Sequence, residues 1–315
     1  MTVLFSSLAG VAEILLLVAL GYWLTAIGWF TDRTSQIIAK VVTQVALPAY
    51  MVVTISTKFT AHELRQLLPD LRFPLLSMAL LFGLSIGVAR LLRVQAAHRG
   101  LFESMFFNSN TVFIGLPVNM ALFGARSLPY VLVYYMANTT IFWTLGVYLI
   151  QGDGPHPARF QWRAALGKVF SPPLLGFIVG VVLVLLPVRL PAFVLADLTY
   201  IGDLTIPGSM FFIGIAMHQA GLTNIRIDRE LLGVCAGRFI AAPLIMTALV
   251  AAAPVPVMMK QVFILQSAMP VMTNAPVVAK LYGADAANAA ITVTATTLMA
   301  TLVIPLLMVA VQHLG

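Results

Sequence analysis

The sequence predicts an all-α polytopic membrane protein with ten transmembrane helices arranged as two inverted five-helix repeats. Three observations predict this fold: an apolar composition, ten apolar stretches of spanning length, and internal similarity at a fixed offset. Of 315 residues, 60% are hydrophobic and 9% are charged. Soluble proteins average about 45–50% apolar and about 25% charged residues. The composition therefore excludes a soluble enzyme or a nucleic-acid-binding protein.

A bilayer-spanning helix needs about 20 mostly apolar residues, and ten stretches qualify. They cover residues 4–26, 35–57, 73–93, 100–122, 127–150, 166–187, 195–219, 230–252, 259–282 and 287–312. We expect a first repeat at 1–150, a short cytoplasmic linker at 151–165 and a second repeat at 166–315. Basic residues number nine in the loops opposite the N-terminus and six on its own side. This bias predicts both termini outside a bacterial inner membrane, on the periplasmic or extracellular face.

An offset of 159 residues aligns helix-disrupting residues of the two halves: Pro48 with Pro207, Pro117 with Pro276, Gly124 with Gly283, and Gly21 with Gly180. Each half has five spans, an odd number, so the second half enters the membrane from the opposite side. Inverted repeats of this kind are typical of secondary transporters. They favour a transporter over an enzyme.

Spans 4 and 9 combine prolines with amides and hydroxyls at mid-membrane depth, where lipid penalises polar groups. Proline interrupts a helix because it lacks an N–H and clashes with an earlier carbonyl. Two interrupted helices would expose backbone N–H groups that favour an anion, and amide side chains can donate hydrogen bonds to a carboxylate. The alternative is that these residues only link helices in packing. The predicted substrate-binding residues are Asn110, Thr111, Ser109, Asn274, Thr273, Gln266, Gly115, Pro117 and Pro276.

Charged residues inside predicted spans suggest ion coupling or structural pairing, because a charge in the membrane is usually paired or functional. The candidates are Asp203, Glu13 and Lys40. Asp203 could carry a coupling proton, or could pair with Lys40 or Arg238. Lys40 could instead extend to the interface. The single cysteine and the scattered histidines predict no metal site, and no phosphate-binding loop is present, so we expect no cofactor.

Three segments resemble the auxin efflux carrier family: NTVFIGLPV (Asn110–Val118), LQSAMP (Leu265–Pro270) and APVVAKLYGA (Ala275–Ala284). The resemblance covers the whole chain and is of the bacterial organic-acid permease type, since the central loop is short. It implies that spans 4 and 9 cross at their breaks, in a fold related to bile-acid symporters and sodium–proton antiporters. It also implies a scaffold, a transport domain that moves like an elevator, and a homodimer.

The expected function is secondary active transport of a small mono- or dicarboxylate, such as malate, malonate or an auxin-like acid. Its partners would be this organic anion and the lipid bilayer, with no nucleic acid. A sodium-coupled symporter of the bile-acid type and an anion channel remain alternatives.

Overall fold

The structure is a computed structural model that describes residues 16–155, 170, 172–186, 188–220 and 227–312. Glu13, the start of the first predicted span and residues 156–165 of the predicted linker lie outside the described residues. Most of the residues that the structure describes are in helices. The prediction of an all-helical protein is therefore confirmed.

The first half contains nine described helices, several of which are consecutive parts of one predicted span. They are α1 (Leu16–Ala26), α2 (Asp32–Val41), α3 (Leu47–Lys58), α4 (Ala61–Leu67), α5 (Arg72–Leu91), α6 (Arg99–Phe107), α7 (Leu116–Phe123), α8 (Leu128–Ile141) and α9 (Val147–Gly152). The described part of the second half contains α10 (Pro172–Leu185), α11 (Ala192–Gly202), α12 (Thr205–Ala220), α13 (Arg229–Ala236), α14 (Ala242–Val250), α15 (Val257–Ser267), α16 (Ala275–Tyr282) and α17 (Ala286–Gln312).

Five continuous helical stretches of the described chain are long and apolar enough to cross a membrane. They are Arg33–Lys58, Pro69–Leu91, Ala192–Gln219, Arg229–Val250 and Ala286–Leu307. Three further apolar helices are shorter: Leu16–Ala26, Thr111–Phe123 and Pro172–Leu185. The chain is therefore a polytopic membrane protein.

Wide π-helical turns accommodate three of the prolines within the spans. The turns Val42–Ala46, Thr111–Gly115 and Gly237–Ala241 each end two residues before a proline, namely Pro48, Pro117 and Pro243. A proline ring clashes with the carbonyl four residues earlier in a regular helix, and a π turn relieves that crowding by widening the backbone locally. The chain stays helical through Pro117, and the interruption of span 4 lies earlier, at residues 108–110.

A distant carboxylate caps the start of α6, and glycines end α7 and α16. The Asp153 carboxylate accepts hydrogen bonds from the N–H groups of Gly100 (2.9 Å) and Leu101 (2.6 Å), at the start of α6. Burial raises the pKa of the Asp153 carboxyl, and these two N–H donors oppose the rise. The C-caps of α7 and α16 are Gly124 and Gly283, with φ of 68° and 75°. Glycine adopts such a backbone without strain, so both helices end at residues that allow the chain to turn away.

Two close helix contacts join the halves of the protein. A Cβ on Gly180 of α10 would lie 2.8 Å from the Cβ of Ile55 in α3, and one on Gly21 of α1 would lie 2.8 Å from the backbone oxygen of Phe211 in α12. Glycine therefore permits both approaches, which a larger residue would obstruct. These two glycines are also a matched pair at the 159-residue offset.

Candidate functional site

Two of the predicted spans are broken, and the breaks contact each other. The first half of span 4, α6, ends at Phe107, and residues 108–110 are non-helical. In span 9, α15 ends at Ser267 and α16 begins only at Ala275. Ser109 and Val271 pair as an isolated antiparallel β-bridge, and the Asn110 N–H donates to the Pro270 carbonyl at 2.8 Å. Each break thus supplies part of the hydrogen bonding that the other lost.

Asn138 of α8 satisfies the backbone of the first break from its other side. Its Oδ1 accepts from the Ser109 N–H at 2.9 Å, and its Nδ2 donates to the Ser109 carbonyl at 2.9 Å. The side-chain amide therefore makes the two backbone hydrogen bonds that a neighbouring strand would make to Ser109. Asn138 is fully buried, and sequence reasoning did not select it. The available signal was an amide deep inside an apolar span, where a polar group requires a partner.

Arg238 binds the carbonyl ends of both helices that lead into the breaks. It lies in the π turn between α13 and α14, and its side chain is 0% exposed. Its Nε donates to the Met269 carbonyl at 3.0 Å, its Nη1 to the Phe106 carbonyl at 3.4 Å, and its Nη2 to the Ser267 carbonyl. These groups would otherwise be orphan carbonyls at helix C-termini. Among the ion pairs of the described residues, none joins Asp203 to Arg238 or to Lys40.

A cavity of about 410 Å³ lies between the breaks and the helices α2 and α10. Four of the predicted binding residues line it: Asn110, Thr111, Thr273 and Asn274. Lys40, predicted as an ion-coupling or structural charge, lines it as well, and is the one charged side chain among the described lining residues. The remaining described lining residues are Ala39, Thr43, Gln44, Val112, Phe113, Tyr135, Thr139, Trp143, Pro172, Pro173, Met272 and Val277.

Two of the residues that line the cavity each have a buried side-chain polar atom that lacks a hydrogen-bond partner within the described structure. The Asn110 Oδ1 accepts from the Phe113 N–H at 3.2 Å and so caps the helix that follows, but its Nδ2 is unpartnered. The Thr139 Oγ1 is also unpartnered. An unmade hydrogen bond at a buried polar group costs about 1–3 kcal/mol. An amide donor and a hydroxyl that lack hydrogen-bond partners at the same cavity are therefore suited to bind a polar ligand.

The helix geometry gives the same cavity a positive character. Asn110 and Asn274 are the N-cap residues of the helical segments that leave the breaks. A helix N-terminus carries roughly half a positive charge and presents free N–H groups. The Asn274 side chain makes no capping bond to its own helix. Together with the Lys40 ammonium, these two N-termini favour a negatively charged ligand.

The other predicted residues lie around the cavity without lining it. Gln266 is fully buried beside Gly115, and its Nε2 donates to the Thr111 carbonyl at 3.4 Å. Ser109 is buried in the bridge between the breaks. Pro117 and Pro276 each lie in the first turn of a half-helix, α7 and α16.

Asp203 does not line the cavity at the breaks of spans 4 and 9. It is exposed on the outside of the protein, at the junction between α11 and α12. Of the described residues, no three or more His, Cys, Asp or Glu side chains are grouped so as to hold a metal ion.

Comparison with known proteins gives a consistent picture. The profile of the family described as Membrane transport protein matches residues 6–308. An uncharacterized transporter of Methanothermobacter thermautotrophicus is 28% identical over 243 residues, which are 74% of this chain and 75% of that protein. An uncharacterized transporter of Methanocaldococcus jannaschii is 25% identical over 305 residues, 93% of this chain and 95% of that protein. The family and these relatives point to a transporter and not to an enzyme. The chain therefore belongs to the Membrane transport protein family, which is the auxin efflux carrier family that its sequence resembles.

Proposed function

We propose that this protein is a secondary active transporter of a small organic anion, a mono- or dicarboxylate, which binds in the cavity at the two helix breaks. The observation that carries the proposal is the unpartnered Asn110 Nδ2 at a cavity whose one described charged side chain is Lys40. A carboxylate would supply the acceptor that the amide lacks and the negative charge that the ammonium attracts. The half-helix N-termini at Asn110 and Asn274 act in the same direction.

We further propose that ten spans form two inverted repeats and that access alternates by an elevator movement of the broken helices against the scaffold. Two features at the 159-residue offset support the repeat: the C-cap glycines with positive φ, Gly124 and Gly283, and the close-contact glycines Gly21 and Gly180. The cavity supports the movement, because its wall combines residues of the breaks with residues of α2 and α10. Sliding between those two groups would carry the ligand without unfolding either.

The remaining features of this proposal concern orientation, coupling and assembly. Both termini would lie on the periplasmic or extracellular side of a bacterial inner membrane, and the protein would be a homodimer. Asp203, Glu13 and Lys40 stay candidates for coupling or structural charges. Replacing sodium by potassium during transport separates a proton-coupled carrier, whose rate is unchanged, from a sodium-coupled symporter, whose rate collapses. Single-protein conductance far above carrier turnover would indicate a channel.

The binding site is tested by uptake of labelled malate, malonate and indole-3-acetate into proteoliposomes. Asn110→Asp keeps an oxygen that can cap the Phe113 N–H but replaces the free donor with a carboxylate oxygen, and Lys40→Met removes the cation. We expect each change to lower uptake at least tenfold. Lys58→Met is the matched control, since Lys58 lies in the same span, is exposed and does not line the cavity. Wild-type rates for every acid in both Asn110→Asp and Lys40→Met would overturn the site assignment.

A further inference from the structure

The Arg238 guanidinium is a fully buried cation whose described partners are all backbone carbonyls. Its three bonds reach Phe106 at the end of α6, and Ser267 and Met269 at the end of α15. Among the described residues no carboxylate forms an ion pair with it. A buried charge normally requires a compensating partner. Here the compensation comes from the carbonyl ends of two helices that converge on one side chain.

These contacts indicate how partial charges are arranged at the two helix breaks. A helix C-terminus carries roughly half a negative charge and its N-terminus roughly half a positive charge. Two converging C-termini therefore present about one negative charge, which the guanidinium balances. The N-termini of the following segments, at Asn110 and Asn274, retain their positive character toward the cavity. Without Arg238, the two carbonyl ends would oppose those N-termini across a few residues, in surroundings of low dielectric constant where such effects are strong.

We propose that Arg238 is a specificity-determining residue of the transport site, which makes the cavity select an anion over an uncharged molecule of the same shape without touching the ligand. This inference rests on the proposed function of the cavity. Arginine suits the task because its planar guanidinium offers five donors in a fixed geometry, so that one side chain binds carbonyls of two helices at once. A lysine ammonium supplies the same charge with fewer and less directed donors.

A purely structural role for Arg238 predicts a different result from an electrostatic one. If Arg238 only ties the two helices together, its loss weakens the binding of every ligand by a similar factor. If its charge sets the sign of the site, its loss weakens anions selectively. The ratio of affinities for an acid and for its uncharged amide therefore separates the two roles, because the members of such a pair have nearly the same shape.

The experiment measures binding to the purified full-length protein, by calorimetry or competition with transport, for two pairs of probes. The pairs are indole-3-acetate with indole-3-acetamide, and malonate with malonamide. For the acid that wild type binds, we expect Arg238→Gln to weaken acid binding at least tenfold and amide binding less than twofold. Arg238→Lys restores the charge and is expected to recover the preference for the acid. Arg72→Gln changes an exposed arginine away from Arg238 in the sequence. It is the control, and its acid and amide binding should match those of wild type.

Each outcome decides the inference. An equal loss of acid and amide binding in Arg238→Gln, or an unchanged preference for the acid, overturns it while leaving the proposed function intact. Wild-type protein that binds none of the four probes and transports no organic acid contradicts the proposed function itself. If Arg238→Gln does not yield monodisperse protein, Arg238→Lys decides: a retained acid preference supports the role of the charge, and a lost preference overturns it.

Discussion

Substitution of Gly115 tests whether this residue serves packing or ligand binding. Gly115 ends the π turn of the first break, and the Gln266 amide lies against it. A Cβ at this position would overlap the Gln266 Oε1 and would lie 2.9 Å from its Cδ and 3.0 Å from its Nε2. Gln266 cannot simply move aside, since it is fully buried and its Nε2 donates to the Thr111 carbonyl. Gly115→Ala must therefore displace either the amide or the π turn.

The cost of this displacement follows from the packing. Inserting a methyl group into a filled interior costs about 1–3 kcal/mol. A change of 1 kcal/mol shifts the melting temperature by roughly 2 °C in a chain of this size. We therefore expect Gly115→Ala to lower the apparent melting temperature by about 2–6 °C in detergent. Gly83→Ala is the control, because nothing lies within 4 Å of a Cβ built there. Alanine also has a higher helix propensity than glycine.

A double-mutant cycle identifies Gln266 as the cause of the loss. Gln266→Ala removes the side chain that the new methyl group would meet, so the double variant should be more stable than the sum of the two single losses predicts. Coupling between contacting residues is about 0.5–3 kcal/mol. The reasoning is refuted if Gly115→Ala melts like wild type, or if the two losses simply add.

Three further predictions concern the break, the cavity wall and a helix cap. Asn138→Ala leaves the Ser109 N–H and carbonyl without their described side-chain partner, so the melting temperature should fall by an amount equivalent to about 2–6 kcal/mol. Asn138→Asp keeps the acceptor and should lose less stability. Equal melting temperatures of wild type and both variants would contradict the role of Asn138. Thr139→Val removes a buried hydroxyl that has no hydrogen-bond partner. We therefore expect unchanged or higher thermal stability together with at least threefold weaker uptake. Unchanged uptake would exclude Thr139 from the site. Burial raises the pKa of the Asp153 carboxyl, so the folded protein holds a proton there more tightly than the unfolded chain does. Wild type should therefore lose stability relative to Asp153→Asn as the pH rises from about 3.9 through the raised pKa. A stability difference that changes in the opposite direction would show that the hydrogen bonds from Gly100 and Leu101 dominate.

Asn110 and Gln266 illustrate how far the sequence predicts the site. Both are amides in interrupted spans, and both were expected to bind substrate. The structure places Asn110 at the cavity with a free donor, but it buries Gln266 against Gly115. The sequence indicates that each amide lies at membrane depth, where a polar group needs a partner. It does not indicate whether that partner is the protein backbone or a ligand.

The breaks themselves were predictable in kind and only partly in place. The polar segment NSN at 108–110 marks the interruption of span 4, and Pro270 and Pro276 mark that of span 9. In span 9 the break ends just before Pro276, as proline at the start of a helix allows. In span 4 it lies well before Pro117, because a π turn absorbs that proline. Whether a proline breaks or only widens a helix depends on the neighbouring backbone, which local sequence does not fix.

Composition and short-range periodicity are enough to predict that the chain lies in a membrane, that it is helical, and that two helices carry polar interruptions. Tertiary structure decided which polar groups satisfy one another. Asn138 reaches Ser109 from another helix, and Arg238 binds carbonyls of two others. The physical reason is that orphan backbone groups in a membrane must find donors or acceptors wherever the fold brings them. Which buried side-chain atoms stay unpartnered, those of the cavity-lining residues Asn110 and Thr139 among them, was visible only once the helices were packed.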